Sequence, residues 1–367
     1  MRNRATLSQL VTQQWHRLMN CWRDHPLRCF SMPRKSMTAI DPKQIHQTAE
    51  FQHERPLTTC RIDPRGRFVF AGAEDLNIYR WELETGEKTT LSGHESWVRG
   101  MDFSADGQWL LSAGWDGRVG WWPLGDRQPQ ADRLLKAHEG WVRCVRARSD
   151  GQLIATCGND NLVKVWDAGQ RETVWELAGH QRHVYSVDFH PGGRFLASSD
   201  LMGIVKVWDL QTGKETRTLD ASVMTGYDKK FAADMGGARD MRFSTDGQLL
   251  ACAGVTDVRN AFGGIQGALV LLLDWVTGKP LRQLKDGDYQ GVGWGVRFHP
   301  AGFLVAAAAH RGGGGVLWFF HPDQEKPFHT FPLKACGRGL DMAPDQKTLV
   351  TAQADGYLRV YLMTAQA

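Results

Sequence analysis

Three sets of side chains in this 367-residue chain could relay protons or hold a polar network. His94, Ser112 and Asp116 are followed by Trp122; His138, Thr156 and Asp160 by Trp166; His180 and Ser198 by Trp208. His and Asp near a hydroxyl invite a catalytic reading, because such groups can activate an alcohol by taking its proton. The His positions recur at spacings of 44 and 42 residues, which marks a repeat.

Two further stretches hint at phosphate chemistry. Thr85-Gly86-Glu87, Thr212-Gly213-Lys214 and Thr277-Gly278-Lys279 share a TG(K/E) pattern but lack the full GxxxxGK[ST] spacing of a phosphate loop. Their fixed phase after an apolar run makes them hairpin turns. The four glycines at 312–315 have no following Lys-Ser/Thr and read as a loop.

The elements that must position these residues are short strands. Segments 93–122, 137–167 and 179–209 each contain a His, an alternating apolar run, a Gly-containing turn, a second run, and a third run ending in Trp. Period-two patterning with tight turns is antiparallel β structure. The residue before each first turn is Ile62, Phe103, Ala147, Phe189, Phe243, Phe298 and Met342, with spacings of 41, 44, 42, 54, 55 and 44. The turns DPRG, SADG, RSDG, HPGG, STDG, HPAG and APDQ follow in the same phase and fit type I geometry. Seven turns in one phase give seven units.

This pattern resembles the WD-repeat β-propeller family. The resemblance implies an all-β fold, a single seven-bladed propeller of four-stranded antiparallel blades over residues 41–367. Residues 1–40 form a basic N-terminal extension, helical or disordered. The last unit stops after its third run, GYLRVYLM, and residues 45–51 fall where an outer strand belongs. The N-terminal strand therefore closes the ring and removes free sheet edges.

The resemblance also makes the His, Ser/Thr, Asp and Trp positions a structural hydrogen-bonded network, with no catalytic residue. Units two and three match it fully. Unit one has His53, Asp75 and Trp81 with Ala71 for the hydroxyl; unit four has Met202 where Asp belongs. Unit seven keeps Thr351 and Asp355, with Tyr361 for Trp and Leu333 for His. Units five (Asp234, Cys252, Leu273) and six (Tyr289, Ala307, Phe319) depart most.

In the family, the residue five after the His often meets partners at the channel mouth. Around this ring it is Thr58, Arg99, Arg143, Tyr185, Arg239, Trp294 and Arg338. Trp97, Trp141 and His183 stand two positions earlier, and Trp115 lies in a loop on the same side. Arg, Tyr and Trp dominate binding hot spots, and the Arg fork matches carboxylates and phosphates. Two readings are open: the arginines face a ligand, or Asp102, Asp188, Asp240 and Asp341 neutralise them internally. Two insertions, at 221–238 and 254–267, emerge on the same face as loops. There Lys229, Lys230, Phe231, Arg259 and Phe262 would form a basic-aromatic lip.

Residues 1–37 hold seven of the 44 Lys/Arg and one of the 40 Asp/Glu, so they account for more than the whole net charge of +4. The remaining 37 basic and 39 acidic residues leave the propeller at −2. Leu7, Leu10, Val11, Trp15, Leu18 and Trp22 fall at helical spacing after a capping-box-like Thr6-x-x-Gln9. This segment would lie on an anionic membrane or a partner, or pack on the propeller, or precede a natural start at Met32 or Met37. Seven cysteines with no CxxC pair and no His at metal-finger spacing point to a reduced compartment without metal or cofactor. With no apolar run near 18 residues and no secretory signal, the expected location is cytoplasmic.

The function implied is a non-catalytic scaffold, monomeric or part of a larger assembly, that binds a protein partner at the mouth. An acidic or phosphorylated segment is the ligand the arginines suggest, with no specific nucleic acid. The alternatives are a channel with a small-molecule or enzymatic site, and nucleic-acid or membrane association through the tail.

Overall fold

The computed structural model describes residues 40–260 and 263–366. The helical reading of 1–37 and the lip residue Phe262 lie outside them. Among the described residues, seven four-stranded antiparallel sheets form the blades of one propeller, each ordered inner to outer in chain order except the last. Blade two shows the plan: Val98–Phe103, Trp109–Gly114, Arg118–Pro123 and Arg133–Lys136. The last blade is completed by Ile45–Gln52, which pairs antiparallel with Tyr357–Met363 from Ile45 opposite Met363 to Gln52 opposite Tyr357. The first and last strands are thus joined by backbone hydrogen bonds, and the ring closes without a free edge there.

Burial follows each strand's place in the blade. The inner strand Leu57–Ile62 is buried at every residue, whereas the outer strand Lys88–Leu91 buries only Leu91 fully. Adjacent blades pack face to face. Phe70, Ile78 and Leu91 of blade one meet Val98, Met101, Leu110 and Trp122 of blade two, all at 0–1% exposure. Each such side chain contributes roughly 1.5–3 kcal/mol relative to exposure.

The inner strands crowd at the axis. A Cβ on Gly339 would sit 2.8 Å from the backbone nitrogen of Cys60 in the next blade, so this position tolerates only a side chain of hydrogen. At the hairpin turns the fourth residue is left-handed: Gly107 has φ 65° and Gly151 76°. In blade seven Gln346 takes the same conformation at φ 61°, a strained choice for a residue with a Cβ.

Three local expectations are corrected. In blade six the turn is one residue shorter: Phe298 pairs with Leu304, six residues on, whereas Phe103 pairs with Leu110, seven on. Leu304 in turn faces Phe320, so the Ser- and Trp-equivalent positions are Ala306 and Phe320, not Ala307 and Phe319. In blade four the Asp role falls to Asp200 rather than to position 202. The two insertions are not irregular loops. Thr225–Asp228 and Ala233–Gly236 form a separate hairpin, and blade five's strands lengthen to Leu249–Asn260 and Ile265–Asp274. Thr256 donates its hydroxyl to Val223 O at 2.9 Å, tying the long blade-five hairpin to the turn before the other.

Candidate partner-binding site at the channel mouth

The His, hydroxyl and Trp groups lie inside blades two, three and four. Trp122 Nε1–H donates to Ser112 Oγ at 2.8 Å, Ser112 donates to His94 Nε2 at 2.7 Å, and His94 Nδ1–H donates to Asp116 at 2.9 Å. This proton order satisfies Trp122, Ser112 and both nitrogens of His94, and fixes the His tautomer. Blade three repeats it with Trp166, Thr156, His138 and Asp160 at 2.8–3.0 Å. Blade four uses Trp208, Ser198, His180 and Asp200, whose carboxylate lies 2.9 Å from Nδ1. Burial raises Asp116, but the hydrogen bonds it accepts from His94 and from the backbone N–H groups of Glu95 and Arg118 outweigh it and hold the carboxyl below its ordinary value; Asp160 behaves alike with His138, Leu162 and Glu139. Ser112, Thr156 and Ser198 are fully buried, so these hydroxyls bridge side chains in the interior.

Where a member is missing, other groups fill in. In blade one Tyr79 donates to Asp75 at 2.7 Å and lies tilted against His53, 4.0 Å between ring centroids. In blade seven Gln353 Nε2 donates to both Thr351 Oγ1 and Tyr361 Oη at 2.9 Å.

The mouth is built by a repeated backbone irregularity. The inner-strand register shifts at Thr58, Arg99, Arg143, Tyr185, Trp294 and Arg338, one residue after the strand begins in five blades and three residues in for the longer Gly291–His299 strand. A bulge re-aims its side chain, here toward the axis, and six blades apply it at one level.

The ring that results alternates cation and aromatic. Trp97 and Trp115 lie 5.2 Å apart, and Trp115 stacks on Trp141 at 3.8 Å and 3°. Arg143 sits over Trp141 at 5.1 Å and Tyr185 at 3.9 Å; Arg239 over Tyr185 at 4.4 Å and Trp294 at 5.7 Å; Arg99 over Trp294 at 4.4 Å. Together with Arg338 and Glu74 they line a cavity of about 390 Å³. Its only carboxylate among the described residues, Glu74, accepts from Arg338 at 2.5 Å. Burial, and then the charges of Arg338, Arg239 and Arg143, bring Arg99 down to about 9. Burial also lowers Arg143 and Arg239. His183 turns aside, its Nδ1 2.7 Å from Asn159 O.

The four aspartates near these arginines in sequence are engaged elsewhere. One step deeper, Asp240 pairs with Arg146 and Arg297 at 2.6 Å, Asp341 with Arg297 at 2.9 Å, and Asp188 with Arg242 at 3.4 Å. Asp102 and Asp188 also accept the backbone N–H of Ala147 and Phe243 in the following blade. The sequence reading missed this belt, although its signal was present: the residue before each hairpin apolar position is charged in all seven units, Arg61, Asp102, Arg146, Asp188, Arg242, Arg297 and Asp341.

The added hairpin ends beside the mouth, since a Cβ on Gly237 would lie 3.2 Å from the Tyr185 ring. Lys229, Lys230 and Phe231 are exposed at its tip, with Lys230 Nζ 5.7 Å from the Phe231 ring. Among the described residues, no group of three His, Cys, Asp or Glu side chains is placed to hold a metal, and no helix is long and apolar enough to cross a membrane.

Seven blades in a closed ring, three of them locked by buried His–hydroxyl–Trp relays, define a WD-type propeller. The family described as "WD domain, G-beta repeat" matches residues 86–122, 130–167 and 171–209, and the chain belongs to the WD-repeat β-propeller family. The matched repeats are those of the three blades with complete relays. The chain is 24% identical over 241 residues to a Periodic tryptophan protein 2 homolog of Schizosaccharomyces pombe, covering 63% of this chain and 22% of that protein. It is 27% identical over 193 residues to the Nuclear distribution protein nudF of Emericella nidulans, covering 46% and 43%. A third similarity, 35% over 78 residues, is to the Mitotic checkpoint protein bub-3 of Caenorhabditis elegans, covering 21% and 22%. The matches thus span less than half the length of each relative.

Proposed function

We propose that this protein is a non-catalytic scaffold in the cytoplasm whose mouth binds an acidic or phosphorylated segment of a partner protein. The observation that carries this reading is the charge of the ring: four arginines against the single carboxylate of Glu74, each guanidinium face resting on an aromatic ring or its edge paired. Stacking fixes the plane of Arg99, Arg143 and Arg239, so little freedom is lost when they bind an anion. Trp97, Trp115 and Trp141 extend the ring into an aromatic ledge suited to the apolar residues that flank such an acid. Lys229, Lys230 and Phe231 supply a lip that steers acidic chains inward.

The non-catalytic part rests on what the mouth presents, which is guanidinium and aromatic surface with one carboxylate already paired. Among the described residues, five buried or half-buried free thiols fit a reduced compartment. An array of acidic, phosphorylated, neutral and basic peptides tests the reading. Retention confined to the acidic and phosphorylated members supports it; retention of the neutral or basic ones refutes it.

A further inference from the structure

Below the mouth, between the ring of guanidiniums and the ion-pair belt, lies a second, smaller cavity of about 40 Å³. One water occupies roughly 10–15 Å³ on this measure, so the space suits a halide ion or a compact oxyanion and excludes a peptide. Six arginines line it: Arg61, Arg99, Arg143, Arg146, Arg239 and Arg338. Among the described residues, the only carboxylate on its wall is Asp240, which is already held by Arg146 and Arg297 at 2.6 Å.

The charges do not balance locally. Among the described residues, only Arg146 and Arg338 of the six have a carboxylate within 4.0 Å. Arg61 is the clearest case. It is 7% exposed, its Nη1 donates to Cys60 O at 3.1 Å, and its buried Nε has no hydrogen-bond partner. The buried Nε of Arg239 and of Arg146 also lack one, although Arg146 Nε lies 3.8 Å from Asp188. A buried guanidinium without a counter-charge is costly, and a protein that keeps several in one place needs an anion among them. Burial and then the charge of Arg297 lower Arg61, in keeping with that repulsion.

We propose that the throat of this propeller is a binding site for a small inorganic anion, held by Arg61, Arg239 and their neighbours, that neutralises the channel beneath the mouth. The throat shares Arg99, Arg143, Arg239 and Arg338 with the mouth above it, but its test uses no peptide, so its failure and the failure of partner binding are distinguishable.

Thermal unfolding of the full chain in sodium bromide, sodium phosphate and sodium gluconate at matched ionic strength tests the site. Gluconate is too large for the throat and serves as the control. The melting temperature should rise with bromide or phosphate and level off, and stay flat in gluconate. Arg61→Met should melt at the same or a higher temperature than the wild type in gluconate, since it removes an unpaired buried charge, and should lose the anion response. Arg239→Gln, nearer the mouth, should weaken that response several-fold, and it serves alone if Arg61→Met does not fold. Equal curves in all three salts, or an undiminished response in the variants, overturn the proposal. A crystal soaked in bromide should show its anomalous peak in the throat; a bromide-soaked crystal without one refutes it independently.

Discussion

The guanidinium of Arg143 lies 3.9 Å from the centre of the Tyr185 ring while its Nε donates to Asn159 Oδ1 at 2.6 Å. Stacking and the Nε bond together fix the plane of the fork at the channel mouth. A lysine keeps the charge but neither contact. Arg143→Lys should therefore bind an acidic peptide about 10-fold more weakly than the wild type, in the range of one lost charge-assisted hydrogen bond. Calorimetric titration measures this, and equal affinities would show that only the charge matters.

The relay in blade two predicts a stability effect that leaves binding alone. Ser112→Ala strands both His94 Nε2 and Trp122 Nε1–H in the interior. Leaving two buried groups unpaired should cost ~2–4 kcal/mol, read by denaturant unfolding. The affinity of the folded variant for an acidic peptide should not change. A cost under about 0.5 kcal/mol would mean that the network is not holding the blade.

Acid should act through the same relays. Asp116 and Asp160 lie below their ordinary value of 3.8 in the folded state. Their contribution to stability is therefore complete above 3.8 and is lost as pH falls through the lowered values. Asp188, raised by burial despite Arg242 and Arg146, acts in the opposite sense, but it is outnumbered, since Asp75, Asp240 and Asp341 are lowered as well. Unfolding free energy measured from pH 6 to pH 2 should fall below about pH 4, and Asp116→Asn should start lower and fall less steeply. Identical slopes for variant and wild type would exclude Asp116 as a source.

Gln346 occupies the turn position that glycine holds in the other six blades. Gln346→Gly relieves the left-handed strain, although glycine's greater freedom in the unfolded chain offsets part of the gain. A net stabilisation of about 0.5–1 kcal/mol is expected, measurable as a shift in denaturant midpoint. The carbonyl of residue 346 still accepts from His299 Nε2, so that bond survives the change.

Much of this molecule could be read from its sequence because a repeat prints the same turn and the same apolar phase again and again. The phase that aligned His94 with His138 and His180 also placed Arg99, Arg143 and Tyr185 at one level, where the bulges set them. What escaped depended on single-residue geometry or on contacts between blades. Blade six slipped by one because its turn is a residue shorter, marked in the sequence only by Phe303 directly after Gly302, where the other six units have Arg67, Gln108, Gln152, Arg194, Gln248 and Lys347. Asp200 reaches His180 from two residues before the expected position, a matter of side-chain direction. The insertions pair into hairpins because Asn260 can face Ile265 and Thr225 can face Gly236, pairings with no periodic partner elsewhere in the chain. The destination of Asp188 and Asp240 is set across blades, by arginines 94 and 57 residues away for Asp240 and 54 for Asp188, beyond the reach of local patterning.

The mouth as an anion-binding site is tested most directly by calorimetric titration of an acidic or phosphorylated peptide, selected on the wild type, against Arg99→Ala plus Arg143→Ala at fixed ionic strength. Loss of two desolvated guanidiniums should weaken binding by about 100-fold or more, with the fold and melting behaviour of the propeller retained. Unchanged affinity in the folded double variant would contradict binding at the mouth.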